Sequence, residues 1–281
     1  VAGQVGLPII GAGTAAPIAE WNPYAFRVTV TTEAAVPQFM ATMVEQFDDF
    51  KKIALIYDIT QDAQRAEAEM IRDLAGEYGY EAVAFEAFRA GDKDFRSQLT
   101  SIKGENPDWV GVYGATPEGT AIFNQMSEMG ILDDVGTFVG FGSSNQPDWW
   151  TLTDGKMAGT VSWMVGFDLA QPGFMETVMT DYKEMFPEGP DAMTIYGYQA
   201  FQASVDAIKR SCTATDREAF RDALATTDTD ALGGKVIFDS PRDNPLGENR
   251  SGVIVITRTT GEDATDYELI PLAGEPAAVD D

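Results

Sequence analysis

Histidine is missing altogether from this 281-residue chain. The side chain most used for general acid–base catalysis near neutral pH, and the commonest zinc ligand, is therefore excluded. Cysteine occurs once, at Cys212, so neither an internal disulfide nor a thiolate metal site can form. A lone cysteine reads as a small buried hydrophobe rather than a nucleophile. No run of about 18 apolar residues occurs, which leaves no segment of the length a membrane-spanning helix requires. Basic residues are scarce: 19 stand against 45 acidic ones, a net charge of −26. Such a surface repels nucleic acid and anionic lipid, and both drop out as partners. The carboxylates read either as solubility at moderate salt or as tolerance of saline surroundings, where the medium screens them. No initiating Met or apolar leader is present either. Val1-Ala2-Gly3-Gln4 reads as the end of a helix already under way, so further chain is expected ahead of it.

The length favours one large or two medium α/β units, and an apolar fraction of 44% can supply real cores. Leu7–Ile10 reads as a strand running into the small-residue loop Gly11–Pro17, and Tyr24–Val30 as a second extended stretch. Val36, Phe39, Met40, Met43, Val44 and Phe47 then recur at helical steps. Lys52–Asp58 is a continuous apolar run ended by an acid, as in a central parallel strand. Its following helix aligns Met70, Ile71, Leu74 and Tyr78 and stops at Gly79. Strands at 81–85, 109–113 and 137–141 alternate with two further helices; Asp92 and Asp94 are placed in the first turn of one of these, at the positive end of its dipole. This alternation predicts βαβ units with a parallel sheet. Beyond it, Met157–Met164 reads as extended, 171–186, 191–210 and 215–226 as helical, and Lys235–Phe238, Gly252–Thr257 and Tyr267–Ile270 as strands, with a frayed tail from Gly274.

Open parallel sheets bind ligands outside the carboxyl ends of their strands. That selects five segments: 11–16, 58–64, 114–118, 141–147 and the region of Tyr196. Gly13, Thr14 and Ala15 offer backbone N–H groups suited to an anion, against a plain tight turn. Gln61 and Asp62 could take an amine or hydroxyls, against simple helix capping. Ala115 and Thr116 precede Pro117 at a helix entry, Gly142 and Ser143 lie in a polar loop before Trp149-Trp150, and the Tyr196 phenol stands near a helix start. Enzymatic motifs are absent: Gly11-Ala12-Gly13 lacks the third glycine of a dinucleotide loop, and neither a phosphate-binding lysine motif nor a serine elbow occurs. No cofactor or metal is expected.

Six stretches, in order, resemble the leucine/isoleucine/valine type of ABC-transporter solute-binding protein. They are Gly6–Ile10 with Pro17, Pro23–Arg27, Lys51–Asp58, Gly91–Phe95 continuing through Leu99, Ile102, Lys103 and Pro107-Asp108, Met157–Val161, and Ala200–Ile208. The resemblance implies an α/β fold of two doubly wound parallel-sheet lobes joined by hinge strands, the first lobe incomplete. Residues 1–30 would be a remnant of lobe 1, 31–162 lobe 2, 163–250 the return to lobe 1, and 251–281 the final crossing strands and tail. It implies a non-enzymatic monomer, periplasmic or extracellular and anchored through the preceding segment, that closes over a small polar ligand and delivers it to an ABC permease. Gly13, Thr14 and Ala15 fall in the family's carboxylate-gripping loop, with a family threonine at Ala15. A family tyrosine falls near Asp62 and an aromatic near Ala115 or Thr116. The acid that holds the amino group in amino-acid binders falls near Gly142, so this chain lacks it there. A ligand-sensing module of a receptor or regulator is the alternative, and a carboxylate-dependent enzyme a third reading.

Overall fold

The computed structural model describes residues 1–13, 22–140, 147–165, 180–186, 192–232, 234–238, 247–249, 251–252, 254–261 and 267–274. A single 3-10 turn at Ala2–Val5 is closed by Gly6 in the left-handed region, φ 61°. In chain order there follow β1 (Ile9–Gly11), β2 (Ala25–Arg27), α1 (Thr32–Gln46), β3 (Lys52–Asp58), α2 (Asp62–Tyr78), β4 (Glu81–Phe88), α3 (Arg96–Gly104), β5 (Trp109–Tyr113), α4 (Thr116–Glu128), β6 (Gly136–Val139), α5 (Pro147–Thr153), β7 (Val161–Val165), α6 (Ala192–Ser211), α7 (Arg217–Ala225), β8 (Asp228–Ala231), β9 (Gly234–Ile237), β10 (Ile254–Thr259) and β11 (Tyr267–Ile270). The chain divides into two compact units, Val1–Thr32 with Val165–Ile254, and Glu33–Met164 with Val255–Asp281.

The second unit is built on a seven-stranded sheet, ordered β11-β10-β7-β6-β5-β3-β4. Strands β3 to β7 pair in parallel. Thr257 lies against Ser162 and Thr259 against Thr160, so β10 runs antiparallel to β7, and β11 pairs antiparallel with β10. The central strands are apolar throughout because helices cover both faces. On one face Ala54, Ile56, Val110 and Val112 meet Leu99 and Ile102 of α3 and Ile122, Phe123 and Met126 of α4. On the other, Phe39 of α1 lies edge-on to Phe138, while the Phe50 ring contacts those of Trp109 and Phe138.

Asp92 and Asp94 precede α3 rather than filling its first turn: Asp92 Oδ2 accepts from Arg89 N (2.9 Å) and Asp94 Oδ1 from Arg96 N (3.2 Å). The residue at the helix entry is the buried Phe95, whose N–H donates to Gln125 Oε1 at 2.8 Å. With that ring anchored in the core, the helix starts at Arg96.

In the first unit β1 and β2 form a parallel pair, and β8 and β9 an antiparallel hairpin. Ala203 and Ala207 of α6, with Ala223 and Leu224 of α7, pack against Phe26, Val28, Val236 and Phe238. Strand β2 is pinned further by Arg27 N donating to Gly247 O (2.6 Å), Asn249 N donating to Arg27 O (3.0 Å) and a fully buried Arg27–Glu248 ion pair at 2.9 Å. Cys212 is exposed, contrary to the expectation of a buried thiol. It follows the last residue of α6 with φ 55°, in the connection to α7, and so has no core position to fill.

Candidate functional site

The chain runs from β3 to β4 on one side and then returns past β3 to β5 on the other. The two crossovers diverge at β3 and β5, and loops leaving their carboxyl ends leave a crevice there. Tyr57 pairs with Tyr113 at the end of these strands. Tyr113 therefore faces the α1–α2 side, and Asp58, one residue beyond Tyr57, the opposite side.

Asp58 is fully buried. Its Oδ1 accepts from the N–H and hydroxyl of Thr60, at 2.8 and 2.6 Å, while Oδ2 has no hydrogen-bond partner. An unsatisfied buried acceptor costs about 1–3 kcal/mol, so a polar group held there without a partner marks a place where stability is not the governing requirement. Tyr113 Oη is a second such atom. Burial above all, with the Glu67 carboxyl and Tyr80 adding to it, pushes the Tyr113 phenol well above its ordinary range.

Gln61 is the extended N-cap of α2; its carbonyl accepts from Arg65 N at 3.0 Å. Asp62 is exposed and pairs with Arg65 at 2.8 Å. Ala115 is the N-cap of α4 and accepts from Gly119 N at 2.8 Å. The Thr116 hydroxyl accepts from the Trp149 indole at 3.1 Å, tying α5 to the start of α4. Gln64, with its amide nitrogen toward Tyr113 O (3.0 Å) and its oxygen toward Ala115 N (3.3 Å), joins α2 to the end of β5. Gln61, Asp62, Ala115 and Thr116 thus share the carboxyl-end rim of the second unit. In the first unit, Gly13 is exposed and its carbonyl accepts from the Thr29 hydroxyl at 3.0 Å, while Tyr196 is fully buried within α6. Thr14, Ala15, Gly142 and Ser143 lie outside the described residues.

One residue of this rim escaped the sequence reading. Glu67, in the second turn of α2, is buried, and its Oε1 accepts from the Trp163 indole at 2.6 Å. Desolvation raises its carboxyl to about 7, and the indole hydrogen bond offsets this only in part. The available signal was its spacing: Glu67 stands four residues before Ile71 and seven before Leu74, at the head of the apolar stripe of α2. An acid on an apolar face is either buried for a reason or wrongly placed.

A doubly wound α/β unit with polar groups gathered at its switch point is an architecture that binds small molecules at the carboxyl ends of its strands. The chain belongs to the periplasmic binding protein family, whose model matches residues 1–253. Among solved structures it is similar to a leucine-binding protein, LivK, of Thermotoga maritima, with 20% identity and a TM-score of 0.83 over 96% of this chain and 74% of that one. It is similar to LivJ of Streptococcus pneumoniae, solved with isoleucine, at 23% identity and a TM-score of 0.81, with the same coverage of 96% and 74%. A solute-binding protein of Rhodopseudomonas palustris, solved with 3,4-dihydroxybenzoic acid, matches at 20% identity and a TM-score of 0.78 over 96% and 73% of the two chains. These likenesses establish the type I periplasmic-binding-protein fold.

Proposed function

We propose that this chain is a non-enzymatic solute-binding component of an ABC importer, taking a small polar solute at the carboxyl-end rim of its second unit and delivering it to a membrane permease. The observation that carries this reading is the family match over residues 1–253 together with a switch point that holds two buried polar atoms without partners, Asp58 Oδ2 and Tyr113 Oη. Solutes bound by structural relatives include isoleucine and a dihydroxybenzoic acid, which places amino acids and small organic acids in the range to be tested. An extracytoplasmic location goes with this role. Among the described residues no helix is long and apolar enough to cross a membrane.

A thermal-shift screen against amino acids, amides, small organic acids and aromatic acids tests the reading. A solute at a hundred times its dissociation constant adds about 2.7 kcal/mol of stability, which is readily seen as a rise in Tm. Turnover of any stabilising solute would overturn the receptor reading in favour of an enzyme. The absence of a shift with every class would move weight to a sensing module for a different ligand.

A further inference from the structure

The crevice at the switch point is flanked by the start of α2, with Gln61 and Asp62, and the start of α4, with Ala115 and Thr116. A half-buried side chain, Gln64 in the first turn of α2, bonds from one to the other. Its amide donates to Tyr113 O at 3.0 Å and accepts from Ala115 N at 3.3 Å. Turned the other way, the amide oxygen would face a carbonyl and the NH2 group an N–H, so only one orientation satisfies both backbone groups. The two bonds straddle Gly114, which is confined from the opposite side. A Cβ on Gly114 would stand 2.9 Å from Phe88 Cζ and 3.3 Å from Gly119 N. Ala115, the N-cap of α4, has no side-chain oxygen with which to cap the helix, unlike the Ser, Thr, Asp or Asn favoured there. The entry of α4 is therefore fixed from outside, by Gln64 at Ala115 and by the Trp149 indole at Thr116.

A half-buried amide gains little stability from bonds that water could supply as well. What the pair of bonds supplies is geometry: one donor and one acceptor on a single planar group fix both the distance and the twist between α2 and the β5–α4 connection. We propose that Gln64 is the positioning residue of this rim, holding the Tyr113–Ala115 backbone in the conformation that a solute meets. The proposal rests on the solute-binding reading and deepens it by naming the residue that sets the spacing of the site. Gln64 acts through the Ala115 backbone, so its chemistry as a donor and acceptor matters and its bulk does not.

The test compares the whole chain with Gln64→Leu, which keeps the bulk and removes both bonds, and with Gln64→Glu. At pH 7.5 the carboxylate introduced by Gln64→Glu accepts from Ala115 N but has nothing to donate to Tyr113 O; once protonated it does both. The carbonyl beside it favours the protonated form, so the second bond returns toward pH 4.5. Two quantities are read at each pH: the hydrogen-exchange protection of the Ala115 amide, and the calorimetric affinity for isoleucine and for 3,4-dihydroxybenzoic acid. Where neither binds, the solute that raises Tm most in the screen above takes their place. In Gln64→Leu the amide should lose at least about fivefold in protection and the solute should bind about tenfold more weakly, at both pH values. In Gln64→Glu both defects should appear at pH 7.5 and shrink at pH 4.5, relative to the wild type at the same pH, a recovery that lost packing would not produce. Asp62 and Glu67, the nearby acids of α2, are common to all three proteins and cancel in that comparison. Unchanged Ala115 protection in Gln64→Leu overturns the proposal, as does lost protection with unchanged solute affinity, and both leave the receptor reading standing. Equal defects at the two pH values in Gln64→Glu overturn it as well. If no solute of the screen binds the wild type, the receptor reading falls and takes this proposal with it.

Discussion

Glu67 couples a proton to folding. Its carboxyl stands at about 7 in the folded chain against 4.5 in an exposed state. Where a folded acid sits above its unfolded value, the folded state binds the extra proton, so the contribution is fully present below 4.5 and is lost as pH rises to about 7. That difference amounts to about 3 kcal/mol. Other carboxylates titrate in the same window, so the measurement is a difference: urea midpoints from pH 4.5 to 8 for the wild type minus those for Glu67→Gln. The wild type is expected to lose stability relative to the variant as pH rises, and then to level off above pH 7.5. A flat difference would place the carboxyl near its ordinary value. The Arg27–Glu248 pair makes the opposite point, because here both charges are buried together. Glu248→Ala takes away the 2.9 Å partner of a fully buried guanidinium and is expected to cost about 3–5 kcal/mol in chemical denaturation. The double replacement Arg27→Met, Glu248→Leu should recover most of that loss, since it removes the buried guanidinium together with its partner.

At the level of elements, close approach and capping decide which substitutions matter. The α4–α5 contact depends on Gly119, where a Cβ would come within 2.2 Å of the Trp149 ring. Trp149 is buried and tied through its indole to Thr116, so the ring has little room to yield. Gly119→Ala should destabilise by about 1–3 kcal/mol although alanine is the better helix former, and a thermal melt reads the sign directly. At α7, the Asp216 carboxylate accepts from Glu218 N and Ala219 N, both at 3.1 Å, and Asp216→Ala should cost about 1 kcal/mol. The parallel sheet was legible because β3 and β5 are apolar on both faces, a pattern that only a covered strand produces. Strand β8 was not: Asp228-Thr229-Asp230-Ala231 has the composition of a turn. It becomes a strand by pairing with β9, where Lys235 reaches Asp228 at 2.7 Å, so the partner rather than local propensity decides. The rim positions Gln61, Asp62, Ala115 and Thr116 were legible because strand ends can be read from periodicity. Glu67 was hidden among 45 acids until the structure placed its carboxyl against Gly140, where a Cβ would stand 3.0 Å from Oε2.

For the molecule as a whole, the net charge of −26 sets two salt effects against each other. Exposed pairs such as Arg65–Asp62, Arg96–Glu128 and Lys235–Asp228 are weakened by added salt. Each is worth only about 0–1 kcal/mol at the outset, because water already screens them. Against them stands the mutual repulsion of an acid excess with 45 carboxylates and 19 basic groups to neutralise them. Unfolding spreads those charges apart and relieves the repulsion, so screening favours the compact state. The Debye length shrinks from about 10 Å at 0.1 M to about 3 Å at 1 M, which removes most interactions between carboxylates that are not direct neighbours. Repulsion is summed over many pairs and the attractive contacts are few, so repulsion should win. We expect Tm at pH 7.5 to rise with NaCl and to level off as the Debye length falls below the spacing between neighbouring carboxylates. Repeating the melts at pH 4.5, where part of the carboxylate charge is neutralised, should flatten the dependence. A Tm that falls with salt at pH 7.5 would mean that the ion pairs, and not the repulsion, dominate the surface electrostatics. A rise of the same size at both pH values would assign the effect to salt-strengthened apolar burial instead of charge.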